Sequence, residues 1–408
     1  MHALADISIV IFWGAAGILL YTYIGYPLLL AFLAALHKRE AEKDPTDWPH
    51  LTVLIAARNE EGSIGRKVEE TLALDYPADR LEIVVVSDGS TDRTDAIVKT
   101  IRDPRVRLIR VDAHLGKTHA QNVGVGECRG DVIVFSDATA RYDRMALRRL
   151  AARYQDLEVG AVSGRYYYVD PAKTSPTGTG SALFWNYENL IKTFQSRVGT
   201  LTGCSGCIYS VRKSAYQPLD PNLCSDLVEP LQIVRAGLRV VFENRAVAYE
   251  ETTTSNRQEF RMRVRVAARG MRGIASLPEL LDFTRHGWIA FQLLSHKILR
   301  WLVPVWLCIL LASSAILSSI RFYEVVFWLQ ACFYLFVCIT TKWPIHRRWR
   351  VLGVPTLFVT INAAMLVALW ELLRGRRFVV WETDRREFGT SARLEGAEND
   401  THRISHSG

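Results

Sequence analysis

The chain has apolar blocks at both ends and a middle region in which short apolar runs alternate with amphipathic stretches. Four apolar stretches reach the roughly 20 residues that a helix needs to cross a bilayer. They cover residues 7–36, 301–320, 322–341 and 351–370. A soluble core cannot readily bury four such stretches, so the pattern predicts about four transmembrane helices, one N-terminal and three C-terminal. The first stretch is too long for a signal peptide, and no Lys or Arg precedes it.

Between the apolar blocks, β-branched runs alternate with stretches of helical period. The expected strands are residues 51–56, 81–87, 106–110, 131–135 and 159–168. The expected helices are residues 64–74, 92–101, 117–128 and 181–195. This alternation predicts an α/β fold, with a mostly parallel sheet and helices on both faces. Residues 257–272 fit either a helix with arginines on one face or a strand, and the period alone leaves both open.

These patterns divide the chain into five parts. We expect an N-terminal transmembrane helix with its linker (1–44), a soluble domain (45–284), an interfacial amphipathic helix (285–300), transmembrane helices (301–374) and a polar, partly disordered tail (375–408). Basic residues follow the first span and separate the third from the fourth, which predicts a cytosolic soluble domain in a multi-pass cell-membrane protein. Arg374, Arg376 and Arg377 argue for the opposite side, and a re-entrant segment would resolve the conflict.

The net charge is +8, with 50 Lys and Arg against 42 Asp and Glu. The excess lies beside the membrane spans and in one arginine-rich stretch, so anionic headgroups and phosphates are the expected partners and nucleic acid is not. Cys204 and Cys207 form a Cys-x-x-Cys, which fits half a zinc site or a redox pair. The sequence supplies no second pair to complete a metal site, so a plain loop is the favoured interpretation.

Two aspartates stand where apolar strands end, Asp88 in Val-Ser-Asp-Gly-Ser-Thr-Asp and Asp137 in Val-Phe-Ser-Asp-Ala-Thr. The carboxyl ends of parallel strands are where open α/β sheets bind ligands, which predicts a nucleotide site. Glu60 follows the neighbouring strand, and Lys117 begins a helix where it can pair with a diphosphate. The spacing around Lys117 does not fit a Walker loop. For Asp88 the alternative role is a simple helix cap.

A third aspartate, Asp226 in Cys-Ser-Asp-Leu-Val-Glu, precedes a plausible helix at 227–235. Taken alone, its position fits a helix N-cap as well as a catalytic carboxylate. Glu229 lies about one helical turn later and is the second candidate for an acid or base. Trp185 and Tyr187 fit either core aromatics or the floor of an acceptor channel.

In their order and spacing, these motifs resemble the family 2 inverting glycosyltransferases, in particular the membrane-embedded cellulose, chitin and hyaluronan synthases. The resemblance runs from about residue 51 to residue 277 and implies a GT-A-like fold. It implies that Glu60 and Asp88 hold the uridine of a UDP-sugar and that Lys117 contacts the nucleotide. Asp137 begins the segment that in the family is usually Asp-x-Asp, which implies a divalent cation, Mg²⁺ or Mn²⁺, on Asp137. Here Thr139 replaces the second aspartate and removes one charged ligand.

The resemblance also assigns the catalytic side of the site. It implies that residues 202–209 form the acceptor-side loop, that Asp226 is the general base, and that Arg269 belongs to a Gln-x-x-Arg-Trp motif. In this chain that motif reads Val-Ala-Ala-Arg-Gly, so the aromatic residue is missing. An inverting transfer needs a carboxylate to take the proton of the attacking hydroxyl, and Asp226 is the expected one.

Three functions follow as hypotheses. A processive synthase threads its polymer between the spans, whereas a single-addition enzyme uses the spans to reach a lipid-linked acceptor. An inactive relative serves as a scaffold subunit of a polysaccharide export complex, which the Thr139 substitution favours and the retained aspartates oppose. The expected partners are a nucleotide sugar, a glycan or lipid-linked acceptor, membrane lipids, and an additional membrane subunit.

Overall fold

The computed structural model describes residues 2–37, 45, 47–169, 178–251, 256–342 and 352–375. The linker after the first span, the basic segment 343–351 and the polar tail after residue 375 lie outside the described residues. The strands are β1 (Leu51–Ala57), β2 (Leu81–Asp88), β3 (Val106–Val111), β4 (Val132–Asp137), β5 (Arg141–Tyr142), β6 (Val159–Val169), β7 (Ile208–Arg212) and β8 (Arg239–Glu251).

The helices of the described residues fall into two groups, those around the sheet and those of the apolar blocks. Around the sheet lie α3 (Ile64–Leu72), α4 (Thr94–Thr100), α5 (Lys117–Glu127), α6 (Ala146–Ala152), α7 (Gly178–Val198), α8 (Ser225–Arg235) and α9 (Asn256–Ala275). The apolar blocks form α1 (His2–Leu20), α2 (Tyr26–Leu36), α10 (Phe283–Leu293), α11 (Leu299–Ile316), α12 (Arg321–Lys342) and α13 (Gly353–Leu373). Residues 257–272, left open between helix and strand, belong to α9.

The strands form one sheet in the order β3-β2-β1-β4-β7-β6-β8-β5. The four strands β3, β2, β1 and β4 are parallel, as the alternating pattern predicts. Beyond them the sheet is mixed, because β7 runs antiparallel to β4 and β6. Two apolar clusters cover the two faces. The α/β fold with its parallel strands is therefore confirmed, and the antiparallel insertion of β7 is the addition.

The parallel strands place their carboxyl ends at one edge. Ala56 of β1 lies beside Val86 of β2 on one side and Asp137 of β4 on the other. Helix α5 packs closely under this edge because Gly124 has no side chain; a β-carbon there would lie 2.5 Å from Leu54. The edge therefore brings together the ends of β1, β2 and β4 and the start of α5.

Four stretches have the length and apolarity of membrane spans: Leu4–Leu36, Phe283–Ile316, Arg321–Lys342 and Gly353–Leu373. Only 11–28% of the most apolar window of each is buried within the protein, as is typical of helices that face lipid. The number and placement of the spans match the prediction. The segment predicted as a separate interfacial helix, 285–300, continues from α10 through a π-helical turn, Leu294–Ile298, directly into α11.

Helix α13 contacts the sheet domain along its whole length. At its start, Gly353 lies against Gly180 of α7, closely enough that a β-carbon at Gly180 would lie 2.6 Å from the Gly353 carbonyl oxygen. Further on, Ala364 and Ala368 share an apolar cluster with Met271 of α9. The end of α13 thus lies beside a helix of the sheet domain.

Candidate active site

The site is built around the Thr202–Gly206 loop, which precedes β7 and faces the ends of β4 and α5. The Lys117 ammonium donates a hydrogen bond to the Gly206 carbonyl (3.2 Å) and forms an ion pair with Asp137. On the other side of Gly206 lies Asp226, since a β-carbon at Gly206 would lie 2.7 Å from its Oδ2. Lys117, Asp137 and Asp226 therefore converge around one glycine.

Charge holds this group together. Burial alone would lower the pKa of the Lys117 ammonium, but Asp137 and Asp226 outweigh burial and raise that pKa above its ordinary value. Lys117 is 21% and Asp137 17% exposed, which leaves both side chains reachable by a ligand. The arrangement offers a cation, which suits phosphate oxygens, beside two carboxylates within one partly open space.

Asp88 supports the loop that leads into Lys117. Its carboxylate accepts hydrogen bonds from the backbone N–H groups of Leu115 (3.0 Å) and Gly116 (2.8 Å), and it contacts Nδ1 of His114 at 2.7 Å. The N-cap residue of α4 is instead Arg93, and the first N–H of the helix, that of Thr94, donates to the Asp92 carboxylate (2.9 Å). The helix-cap alternative for Asp88 is thus wrong.

Glu60 lies next to the Asp88 turn. Its backbone N–H donates to Oγ1 of Thr94 (2.8 Å), and its buried carboxylate accepts from the Ser63 hydroxyl (2.6 Å). The turn itself is tight: Gly89 has φ +63°, and a β-carbon there would lie 2.9 Å from the backbone nitrogen of His114, so a side chain would be strained. The loops after β1 and β2 are thereby tied together at the predicted nucleotide end.

Asp226 lies in the first turn of α8 and makes no capping hydrogen bond; the N-cap residue is Cys224. The Cys224 thiol lies 2.8 Å from Oδ1 of Asp226, and burial raises the pKa of that thiol, which keeps it a neutral donor. The carboxylate of Asp226 is thus oriented by a thiol on one side while Oδ2 faces Gly206. The N-cap alternative is excluded.

Glu229 is separated from this group. Its side chain is fully buried, Tyr209 donates to its Oε2 (3.3 Å), and Oε1 has no hydrogen-bond partner. Burial raises the pKa of Glu229 well above its ordinary value, which favours the protonated form. Its hydrogen bond is to Tyr209, whereas Asp226 lies against Gly206.

Arg269 holds the segment that leads into Asp226. Its guanidinium donates to the carbonyls of Pro221 (3.2 Å), Asn222 (3.2 Å) and Leu223, and to Oγ1 of Thr118 (3.1 Å). Helix α9 can approach α8 closely because Gly270 and Gly273 face it; a β-carbon at Gly273 would overlap Val228. Arg269 therefore connects α9, the 221–223 segment and the start of α5.

The remaining predicted residues have structural contacts. Trp185 packs on Tyr166 with ring centroids 4.3 Å apart, and Tyr187 donates to the Tyr23 carbonyl of the first span (2.9 Å). Burial raises the pKa of the thiols of Cys204 and Cys207, which disfavours thiolate chemistry. Within the described part of the chain, no three His, Cys, Asp or Glu side chains form a metal cluster.

Sequence reasoning missed three contributors: His114, Cys224 and Lys192. Lys192 of α7 donates to the Ser205 hydroxyl (2.8 Å). His114 and Cys224 stand inside quoted motifs and could have been proposed from them, whereas no local signal identifies Lys192. Lys297, in the segment predicted as an interfacial helix that meets lipid headgroups, lies at Gly203.

Comparison with known proteins agrees with this geometry. Residues 52–219 match the model of glycosyl transferase family 2. The chain is 30% identical over 234 residues to the probable glycosyltransferase YdaM of Bacillus subtilis, covering 54% of each chain. It is 36% identical over 122 residues to the beta-monoglucosyldiacylglycerol synthase of Synechocystis, covering 29% of this chain and 26% of that one.

A further relative is an N-acetylglucosaminyltransferase of Rhizobium meliloti, 33% identical over 178 residues, with 42% of this chain and 41% of that one covered. The chain thus spans about half or less of the length of these curated relatives. Among solved structures, the mannosyltransferase PcManGT from Pyrobaculum calidifontis, in complex with GDP-Man and Mn²⁺, superposes with a TM-score of 0.66 at 21% identity, covering 91% of this chain and 99% of that chain. That likeness concerns the fold.

Proposed function

Because residues 52–219 form a glycosyl transferase family 2 domain, we propose that this protein is a membrane-integrated inverting glycosyltransferase. It moves a sugar from a nucleotide diphosphate sugar to a glycan or lipid-linked acceptor. One observation carries the proposal: Asp226, Lys117 and Asp137 meet around Gly206, at the carboxyl edge of the parallel strands. This arrangement supplies a base for the acceptor and a cation for the diphosphate at a single place.

The donor occupies the edge formed by β1, β2 and α5. Glu60 and Asp88 lie at the nucleoside end, and Lys117 exchanges its contact with Asp137 for the donor's phosphate oxygens. UDP is the nucleotide that the motif pattern favours, while the fold neighbour was solved with GDP-Man. The two nucleotides are therefore the first to compare as donors.

The oxygen atoms of Asp137 and Thr139 could hold a divalent cation in one way. Asp137 supplies one carboxylate and Thr139 a hydroxyl, and no metal cluster of three acidic, His or Cys side chains exists among the described residues. Mg²⁺ typically binds through one or two carboxylates and takes its other ligands from substrate phosphates and water. Asp137 would hold the cation together with the donor, and the cation would neutralise charge on the leaving diphosphate. The solved neighbour contains Mn²⁺.

Asp226 acts as the general base. The acceptor hydroxyl oxygen forms the new bond to the anomeric carbon, its proton passes to Oδ2 of Asp226, and the bond to the diphosphate breaks with its electron pair on the diphosphate. Attack on the face opposite the leaving group inverts the anomeric centre. Arg269 is a positioning residue in this proposal, because its contacts are to the 221–223 segment that carries Asp226 and to Thr118 beside Lys117.

The domain lies at the cytosolic face of the cell membrane in this proposal, which the basic residues after the first span and between the third and fourth support. Helix α13 contacts α7 at its start and α9 near its end. Contacts of both ends with the sheet domain fit a re-entrant segment, which would put Arg374 on the cytosolic side as well. A single-addition enzyme and a processive synthase remain the two versions, and the length of the product separates them.

The test is sugar transfer by the full chain in detergent with a panel of radiolabelled nucleotide sugars. Asp226→Asn keeps the shape of the side chain and removes the base, so we expect transfer to fall by about 10²-fold or more. Asp112→Asn is the matched control, because that carboxylate is 98% exposed and outside the site. Equal transfer by the Asp226→Asn variant and the wild type would refute the base. No transfer with any donor would favour a scaffold subunit.

A further inference from the structure

Two lysines that the proposed donor chemistry does not use lie on the membrane side of the Thr202–Gly206 loop. Lys192 reaches Ser205 from α7, and Lys297 reaches Gly203 from the turn between α10 and α11. Lys117 bonds to the opposite end of the loop, at Gly206. The loop therefore separates one cation on the donor side from two on the side of the spans.

Of these cations, Lys297 has the clearest capacity to bind a further ligand. A β-carbon at Gly203 would lie 3.7 Å from its Nζ and also 3.7 Å from the Asp226 backbone carbonyl oxygen, so Gly203 is in contact with both residues. Among the residues that the structure describes, its ammonium has neither a hydrogen bond nor an ion pair. The charged groups acting on it are Glu188, Lys192, Arg300 and Asp226.

The nearby carboxylate of Glu188 is already paired with another cation. Glu188 is buried and paired with Arg300, and its Oε2 lies 3.4 Å from Nε2 of His296. Burial alone would raise the pKa of Glu188, but Arg300 and His296 hold it well below its ordinary value. Glu188 is thus an anion paired with Arg300, and it acts on Lys192 and Lys297 only from a distance.

Keeping the Lys192 ammonium charged at this buried position costs free energy. It is 7% exposed and bonds only to a neutral hydroxyl, Ser205 Oγ. Burial lowers the pKa of its ammonium, with Cys204, Glu188 and Asp226 acting in the opposite direction. A buried cation without an adjacent anion is unfavourable, and an anionic ligand between Lys192 and Lys297 would compensate it.

The surroundings of the two lysines belong to the spans. His296 stacks on Tyr26 of the first span, and Ser295 bonds to Tyr21 of the same span (2.7 Å). A ligand that reaches Lys297 therefore approaches along the junction of the first and second spans, where a lipid tail can remain in the bilayer. Deepening the proposed function, on which this step rests, we propose that Lys192 and Lys297 form a subsite for the phosphate of a phosphate-bearing lipid acceptor, whose hydroxyl or sugar is then presented to Asp226.

Binding of short-chain probes tests this subsite without requiring transfer. Farnesyl phosphate and farnesol share a tail and differ in the phosphate, and inorganic phosphate lacks the tail. The readout is the unfolding midpoint of the full chain in detergent over a range of each probe. We expect farnesyl phosphate to raise the midpoint and farnesol not to do so. Lys297→Gln should weaken farnesyl phosphate binding about tenfold, the value of one charge-assisted contact.

Lys342→Gln is the matched control, an exposed lysine at the end of α12, and should bind farnesyl phosphate as the wild type does. Lys297→Gln is preferred to a Lys192 variant, because replacing Lys192 would also remove its hydrogen bond to Ser205. Unchanged farnesyl phosphate binding by Lys297→Gln overturns the proposal, as does an equal, Lys297-dependent shift with inorganic phosphate. Lys297-dependent lipid binding without sugar transfer from any donor would support the subsite and sink the proposed enzyme.

Discussion

Replacing Gly206 by Ala is the most direct perturbation of the proposed base, because it displaces the Asp226 carboxylate without changing the chemistry of any catalytic side chain. The added β-carbon would lie 2.7 Å from Oδ2 and 3.3 Å from Cγ of Asp226. An ordinary contact begins near 3.4 Å, so the carboxylate must move by about 0.7 Å. A misplacement of about 1 Å at a reacting group costs about 10²-fold in rate. We therefore expect kcat to fall about thirty- to a hundredfold, or about 2–3 kcal/mol in the barrier.

Stability should barely change in the same variant. The backbone of Gly206 lies outside the left-handed region, and the atom that must shift is the end of a partly exposed side chain. Ala also restricts the unfolded chain, which offsets part of the cost. We expect a change of less than about 1 kcal/mol and an unchanged KM for the donor, measured by steady-state transfer and by thermal unfolding.

Gly126→Ala is the control for this experiment. Gly126 is exposed in α5, and nothing lies within 4 Å of its added β-carbon, so the variant should keep its kcat and gain about 0.5–1 kcal/mol of stability. Wild-type kcat in Gly206→Ala would refute the placement of Asp226 as base. A loss of stability of the size seen for core substitutions would show that Gly206 serves folding instead.

Three other outcomes follow from the site. Arg269→Lys cannot bridge the 221–223 carbonyls, so kcat should fall about tenfold with an unchanged donor KM in steady-state assays; a rise in KM alone would instead indicate a donor contact. Burial raises the pKa of Glu229 in the fold, so its contribution to stability is present below about pH 4.5 and is lost as pH rises above that value, by up to about 1.4 kcal/mol per unit. Glu229→Gln should therefore flatten the fall of the unfolding midpoint above about pH 4.5 while retaining activity, and an identical slope would contradict the raised pKa. Chelation with EDTA should abolish most transfer and Mn²⁺ or Mg²⁺ should restore it, whereas full activity in EDTA would show that Asp137 works without a cation.

Local pattern was enough to predict the parallel half of the sheet. The strands β1, β2, β3 and β4 are apolar runs of ordinary length, each followed by a covering helix, and crossovers of this kind have one handedness. The family prediction is confirmed on the same segment by the glycosyl transferase family 2 match. In the mixed half β6 was predicted, at residues 159–168, but β7 and β8 were not, because β7 is five residues long and β8 carries charged residues along its length. Their pairing is decided by contacts distant in sequence.

The site divides in the same way. Glu60, Asp88, Lys117 and Asp137 each follow a recognisable strand end or begin a helix, so their convergence could be predicted from the fold. Lys117 also forms an ion pair with Asp137. The contact of Asp226 with Gly206 depends on a loop from a different part of the chain. The sequence also does not show that Arg269 donates to backbone carbonyls, because an exposed arginine and a hydrogen-bonded one leave the same pattern.

The glycines of α9 have a mechanical consequence. Gly270 and Gly273 let the Leu227 and Val228 side chains of α8, the helix that carries Asp226, lie directly against the backbone of α9, while Met271 of α9 packs in one apolar cluster with α13. Side-chain contacts therefore connect α13 through α9 to α8 without a break. We expect a change in bilayer thickness that tilts α13 to reach the helix of the reacting carboxylate, so that the turnover of this protein responds to the membrane in which it lies.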